Sequence, residues 1–384
     1  MGADLAIGTS AQLAVIGAGV SGSVTALCAA RSGRRVVLIH GPVRRRPELG
    51  ETLPPEATRH LVELGLMEVF GSLHSRPCRA NRSAWGSDQL RTWEHLRSPH
   101  GGGWHIERGR LEAVLRAAAV AAGAHPQPGA VRRIENTGAG QGFRLRLDGA
   151  DGAHHLVEAT HLVDATGRSA QVARHFGACR VQHDHLVGLV VHCAVPDADP
   201  ATLVEAVPTG WWYSAPTATG LVAILFSDAD LVDWRRARHS HGWRDLLEYA
   251  PHTRARVASG GTVPILVAAS TSIIDSLHGP RWLAVGDAAA SHHPLGSSGV
   301  LHGLVTGRTA AGAIGADIDG DPSAMVAYTD TERESFHDHL RQRGAYYRVE
   351  RRWPDAPFWR RRADGHGRGV DLARRPERAG AIGR

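Results

Sequence analysis

Leu13-Ala-Val-Ile16-Gly17-Ala18-Gly19-Val-Ser-Gly22-Ser-Val24-Thr-Ala-Leu-Cys-Ala-Ala30 is the stretch that decides the fold. Leu13 to Ile16 reads as a short strand, Gly17 to Gly22 as a turn, and Val24 to Ala30 is helical in composition; Arg35 to His40 then supplies a second β-branched run. In that setting Gly17 permits the tight turn, Gly19 lets the backbone approach a pyrophosphate, and Gly22 allows close helix packing, with Ala18 between the first two. The pyrophosphate of a dinucleotide would rest on the helix N-terminus, where unpaired N–H groups and the dipole favour anions. The ribose-binding acid expected about 20 residues on is replaced by His40. The contact then falls to this imidazole or to the run Arg44 to Arg46, with Arg46 as the candidate; alternatively His40 is a plain strand-end residue.

Further segments are organised around the same turn. His161-Leu-Val-Asp164-Ala-Thr-Gly167-Arg168-Ser169 runs a strand into a glycine turn, and Trp282-Leu-Ala-Val-Gly286-Asp287 ends a second strand in Gly-Asp. Pro294-Leu-Gly-Ser-Ser298-Gly299 precedes a small-residue helix from Val300 to about Ala316. Gly50-Glu51-Thr52-Leu53-Pro54-Pro55 reads as a rigid turn, and Trp104 to Arg108 leads into a helix with Leu111, Val114 and Leu115 at helical spacing. From Arg180 to about Pro264 strand-like runs take over: Leu186 to Val195, Gly210 to Ser214 and Leu221 to Phe226. A C-terminal helix starts at Asp321-Pro322 and carries Met325, Tyr328, Phe336 and Leu340 on one face. These patterns predict an α/β chain: a Rossmann-like nucleotide-binding domain (11–72, 101–179 and 265–320) with an inserted mixed or antiparallel β-sheet domain (73–100 and 180–264). C-terminal helices (321–362) follow, and then a Gly- and Arg-rich tail (363–384) expected to be disordered.

Composition narrows the chemistry. The chain has 384 residues, 42% of them hydrophobic, enough for two lobes. No run approaches the roughly 20 apolar residues that cross a bilayer, and Met1 to Ser10 lacks a basic start and an apolar signal core, so a cytoplasmic protein is expected. Cys28, Cys78, Cys179 and Cys193 are widely spaced and suggest neither a zinc ribbon nor a disulfide framework. All 44 Lys+Arg positions are arginine. A pyridoxal Schiff base, a P-loop lysine or any other lysine chemistry is thereby excluded. The formal charge of +6 is spread among interleaved acids, which argues against nucleic acid, and the 24 histidines form no ligand-spaced set with carboxylates or cysteines, which argues against a metal site.

Taken together, in this order, these motifs resemble the class A flavoprotein monooxygenase superfamily, the p-hydroxybenzoate hydroxylase type of fold, over about Ala11 to Arg362. Trp211-Trp212-Tyr213-Ser-Ala-Pro216, the Gly286-Asp287…Pro294-Leu…Ser298-Gly299 stretch and Arg351-Arg-Trp-Pro-Asp-Ala-Pro-Phe-Trp359 are similar to one branch of it. That branch holds flavin-dependent tryptophan halogenases and the maturases of tryptophylquinone enzymes such as lysine and glycine oxidases. The resemblance implies FAD, with Gly17, Gly19 and Gly22 on its pyrophosphate, Arg108 near it, Asp287 on the ribityl or pyrophosphate side, and Gly299 and Val300 at the isoalloxazine edge. Glu51 would lie near the flavin. A helix beginning near Ser298 would point its positive end at the N1 and C2 carbonyl region of a reduced flavin; Ser297 and Ser298 read equally well as N-caps. With no second GxGxxG, electrons would come from transient NAD(P)H docking or a separate reductase.

The departures from the family matter as much. Halogenases pass hypohalous acid through a lysine, which this chain lacks; they carry a glutamate where Gly296 stands; and their Trp-x-Trp-x-Ile-Pro signature is replaced by adjacent Trp211 and Trp212. Halogenation is disfavoured on these grounds. The maturases carry Asp-Pro where this chain has His293-Pro294. His292 and His293, just before the flavin loop, are the candidate acid/base pair, with Glu51 second. The expected activity is hydroxylation of an electron-rich ring, such as a tryptophan in a peptide or protein, through a flavin C4a-hydroperoxide. Trp211, Trp212 and Tyr213 would provide an aromatic surface for it, unless they are core. The alternatives are a flavin reductase or dehydrogenase without oxygen insertion, and a non-catalytic flavin-binding partner of an oxidase.

Overall fold

The computed structural model describes residues 6–42, 47–71, 75–94, 102–138, 141–149, 152–195, 198–239, 242–257 and 261–363. Arg46 and the expected tail from 364 onward lie outside the described residues.

Ala6–Ile16 is a strand, Val20–Arg31 a helix and Val36–His40 the next strand. The two strands run parallel with Leu13 opposite Val36, the pairing that a crossover helix imposes. Leu13 and Val15 pack with Val24 and Leu27 on one face; Ala14 and Ile16 pack with Leu162 and Ile273 on the other. Both faces are therefore covered, which is why these strands are continuously apolar. The parallel order is His125–Pro128, Val36–His40, Ala6–Ile16, His154–Asp164, Trp282–Ala284. Chain order reverses beside the first strand, so a crevice opens at the strands' C-terminal ends. Ala130–Thr137 and Gly142–Asp148 form an antiparallel meander into His154–Asp164 that the sequence patterns do not announce.

The second sheet has seven strands in the order Ile265–Ala268, Leu186–Cys193, Gly220–Asp228, Gly210–Thr217, Thr202–Val207, Ala80–Ala84, Arg91–Glu94. Every neighbouring pair is antiparallel but for Thr202–Val207 with Ala80–Ala84, so the sheet is mixed. Ile265–Ala268, which the sequence division puts with the nucleotide-binding segments, is hydrogen-bonded into this sheet. Strand alternation sends Trp211 and Trp212 to opposite faces, where each is buried in a separate core with Phe358 and Trp359 or with Trp243 and Leu247. They are packing residues, not the expected aromatic surface; only Tyr213 remains partly open.

Two helices meet at the crevice. Gly299–Ile318 packs on Val20–Arg31 through Gly303 and Gly307: a Cβ on Gly307 would lie 2.6 Å from the Ser21 carbonyl oxygen. Small residues in the later helix are thus a packing requirement that brings the two N-termini together. Thr52–Leu53 pairs with Gly103–His105 where the sequence suggests only a turn, and Ser323–Val349 forms the C-terminal helix. Among the described residues no helix is long and apolar enough to cross a membrane.

Candidate active site

The N-terminus of Gly299–Ile318 faces one side of the seven-stranded sheet across a cleft of about 970 Å³, open solvent at its mouth included. Glu51, Arg108, Asp287, His292, His293, Ser298, Gly299 and Val300 all line it, with Tyr213, Ile224, Phe226 and Val267 forming the sheet side. The structure thus collects residues spread over 250 positions of sequence on one cleft. Gly17, Ala18, Gly19, Gly22, His40 and Gly286 stand outside its wall, around the C-terminal ends of the first two strands. Gly17 N–H donates to Ile39 O, so His40 lies beside the glycine turn, and a Cβ on Gly286 would come within 2.5 Å of Ser21 Oγ at the start of the first helix.

Charge in the cleft is balanced between Arg108 and three carboxylates, Glu51, Glu112 and Asp287. Arg108 Nε bonds Glu112 at 2.9 Å and its Nη1 is 3.8 Å from Glu51. Burial opposes the Arg108 charge, but Glu51, Glu112 and Asp287 outweigh it and hold the guanidinium pKa above its ordinary value. Burial pushes the Glu51 carboxyl up, only partly countered by Arg108. Ser298 is the N-cap of the helix behind them, yet its side chain makes no capping bond; its Oγ lies 3.3 Å from His292 Nδ1, while Ser297 is left-handed at φ +47°. The ordinary N-cap reading of Ser298 does not hold, and the helix start is open to the cleft.

The two histidines differ. His293 Nδ1 accepts from Leu295 N–H at 3.2 Å, which leaves its Nε2 to donate to the Tyr347 hydroxyl at 3.0 Å; Trp211 Nε1–H donates to the same hydroxyl. Both ring nitrogens are therefore engaged inside the protein. His292 stacks between His302 (4.1 Å) and His339 (4.3 Å), and its Nε2 has no hydrogen-bond partner among the described residues. Burial, with His302 and His339 alongside, depresses the His292 pKa, and burial with Arg343, Arg362 and His339 depresses that of His293, so both rings are neutral. For His302, burial is outweighed by a 2.9 Å bond to Glu332, and its pKa is raised. His302, His339 and Glu332 are absent from the sequence reading. His339 follows the core residue Phe336 by three positions, a spacing that marks the same helix face; nothing in the sequence pairs His302 with Glu332.

The chain carries a cradle that fits a flavin dinucleotide. At Gly19 φ is −73°, open to any residue, and an added Cβ would meet nothing nearer than Glu112 Oε1 at 3.7 Å. Neither backbone conformation nor packing requires glycine there, which leaves room for a ligand's close approach. The helix that follows has no acidic residue in its first turn and no side-chain cap, which leaves its N–H groups for an anion.

Comparison with known proteins sets the whole chain among flavin enzymes. LodB of Marinomonas mediterranea, named as an FAD-dependent oxidoreductase, is 25% identical over 356 residues, covering 91% of this chain and 95% of LodB. The myxobacterial chondrochloren halogenase CndH superposes with a TM-score of 0.81 at 20% identity, covering 92% of this chain and 86% of CndH. The peptidyl tryptophan dihydroxylase QhpG superposes with a TM-score of 0.76 at 23% identity, over 92% of this chain and 79% of QhpG. These superpositions show that the chain shares the fold of both proteins. Residues 73–369 match the tryptophan halogenase profile, well over half the chain; the chain belongs to the tryptophan halogenase family and is an FAD-dependent oxidoreductase.

Proposed function

We propose that the protein is a monooxygenase that hydroxylates an electron-rich aromatic ring, with the indole of a peptidyl tryptophan as the substrate class. The observation that carries the reading is the chemistry of the cleft wall: a neutral imidazole, a buried carboxyl and an open helix start, in a chain without a single lysine to relay a hypohalous acid. The likeness to QhpG, a peptidyl tryptophan dihydroxylase, supports the peptidyl substrate, and the match to LodB supports an FAD-dependent redox reaction.

FAD, when bound, supplies the activated oxygen. Gly17, Ala18, Gly19 and Gly22 with the first helix N-terminus take its pyrophosphate, Arg108, Gly286 and Asp287 frame it, and His40 takes a ribose hydroxyl, with Arg46 as the sequence-based second candidate. Ser298, Gly299 and Val300 present N–H groups to the isoalloxazine edge. His292, reached through Ser298, takes the ring proton only in passing, since burial keeps its imidazole from retaining the charge, and His293 positions the loop through Leu295 and Tyr347. Glu51, its carboxyl pKa pushed up by burial, is the second proton carrier. Electrons arrive from NAD(P)H docking transiently or from a separate reductase. Strands Gly210–Thr217, Gly220–Asp228 and Ile265–Ala268 build the substrate side of the cleft.

The reduced holoenzyme in air should add one oxygen atom to indole, phenol or a tryptophan-bearing peptide, read by mass spectrometry. If it yields only hydrogen peroxide with these and turns over an alkene or alcohol, the reductase reading replaces this one. With chloride or bromide present, no halogenated indole should form above a free-hypochlorite control. His292→Ala should keep FAD bound and lower product formation about a hundredfold, the low end of what a positioned general base contributes.

A further inference from the structure

We propose that the edge strand Ile265–Ala268 is a docking rail on which an extended, tryptophan-bearing peptide adds to the seven-stranded sheet and sends alternate side chains over the cleft. The inference rests on the peptidyl-tryptophan reading above and specifies how that substrate is held.

Among the described residues Ile265–Ala268 pairs only with Leu186–Cys193, so its other side is a free sheet edge. The register sets Ala268 opposite Val187, and Ala269 N–H donates to Leu186 O at 3.0 Å. In an antiparallel ladder hydrogen-bonded pairs alternate with non-bonded ones. Ala269 and Val267 therefore face inward, and the N–H and C=O groups of Leu266 and Ala268 face outward. They form a ready template for another strand.

Side-chain parity then fixes what an added strand would do. Val267 lies over Gly188, where a Cβ would come within 2.9 Å of Val267 Cγ2 and 3.1 Å of Phe226 Cε1, so Val267 and Phe226 share a face. That face, with Tyr213 and Ile224, is the sheet wall of the cleft. A strand added about 4.8 Å beyond Ile265–Ala268 extends this wall by one row. Its residue opposite Val267 projects onto the same side, at the cleft mouth, while its neighbours project away. A tryptophan there reaches the cleft without the peptide backbone entering it.

The two edges of the sheet contrast. Arg91–Glu94, at the far end, carries Arg91 and Glu94, the charged residues that discourage pairing. Ile265-Leu-Val-Ala268 carries no charge, and Val263, Ile265 and Leu266 are 70%, 37% and 37% exposed. An unguarded apolar edge that is also the rim of the cleft suits an extended, uncharged peptide segment.

Leu266→Pro removes an outward N–H while leaving the ladder to Leu186–Cys193 in place, and Leu266→Lys adds the charge that guards natural edges. Leu266 is outside the cleft lining. The probe is a pool of short uncharged peptides with one central tryptophan, mixed with the FAD-loaded protein and read by affinity selection and mass spectrometry. The unsubstituted protein should retain members of the pool; either variant should bind them about tenfold more weakly. Peptides N-methylated at alternate backbone positions should also be lost. Both variants should keep their flavin, their melting temperature and their rate on free indole. Equal retention by the variants, or no retention by the unsubstituted protein, overturns the rail. Oxygen transfer to free indole without peptide retention would sink the rail and leave aromatic hydroxylation standing; retention on the rail without oxygen transfer would do the reverse.

Discussion

Gly19→Leu is expected to give a folded, colourless protein whose affinity for FAD falls by more than about a thousandfold, roughly 4 kcal/mol. The three glycines of the turn do different jobs. Gly17 sits at φ +110° with an added Cβ 2.2 Å from Ala165 O, and a Cβ on Gly22 would fall 1.9 Å from Gly17 O. Side chains at those positions collide with backbone, so their leucine variants should fail to fold, and loss of colour there would say nothing about a ligand. Gly19 has ordinary φ and open space around it. A leucine there disturbs nothing in the apoprotein and fills the volume that a pyrophosphate must enter. The measurement pairs the melting temperature of apoprotein, expected unchanged within about 2 °C, with a titration of FAD followed by flavin absorbance. A yellow Gly19→Leu protein with full FAD content would remove the glycine turn from the cofactor site.

The sequence made the nucleotide-binding half legible because its signals are local. A glycine turn between two β-branched runs constrains backbone within about 25 residues, and the strands and helix stand where the pattern puts them. Strand-like runs also revealed three of the seven strands of the second sheet, Leu186–Cys193, Gly210–Thr217 and Gly220–Asp228. They could not tell which faces would be covered. Trp211 became core because Ser323–Val349 and Pro357–Ala363 bring Tyr347, Phe358 and Trp359 onto one face, and Trp212 because Trp243 closes the other. Those contacts span up to about 150 residues and leave no local trace. The Ile265–Ala268 boundary was missed for the same reason: a strand's sequence does not name its partner. The paired His302 and Glu332 lie on different helices, and each alone reads as an ordinary polar residue in a helix.

Stability is expected to fall steeply as pH drops below about 6.5, by up to roughly 4 kcal/mol per pH unit from three histidines. His292, His293 and His339 surround the loop before Gly299–Ile318, and burial holds all three pKa values down, that of His339 to about 4, with Arg343 reinforcing the effect on His293 and His339. An unfolded chain titrates them near 6.5. Below that pH the unfolded state binds protons that the native state refuses, so each histidine removes about 1.4 kcal/mol of stability per unit of acidification until its own native pKa is reached. Half-buried His183 is pushed the same way by burial and Arg343. His302 has the opposite sign. Its native pKa is raised by Glu332 despite burial, so its contribution is complete below 6.5 and is lost as pH rises through the native value. The two opposing trends put maximum stability close to pH 6.5. Urea midpoints measured between pH 5 and 8 should trace that maximum. His339→Gln, which can still accept the His293 N–H that His339 Nε2 accepts at 2.8 Å, should reduce the acid slope by about 1.4 kcal/mol per pH unit. An unchanged slope in that variant would mean that His339 is charged in the folded protein, and the neutral stack that keeps His292 available as a base would have to be abandoned.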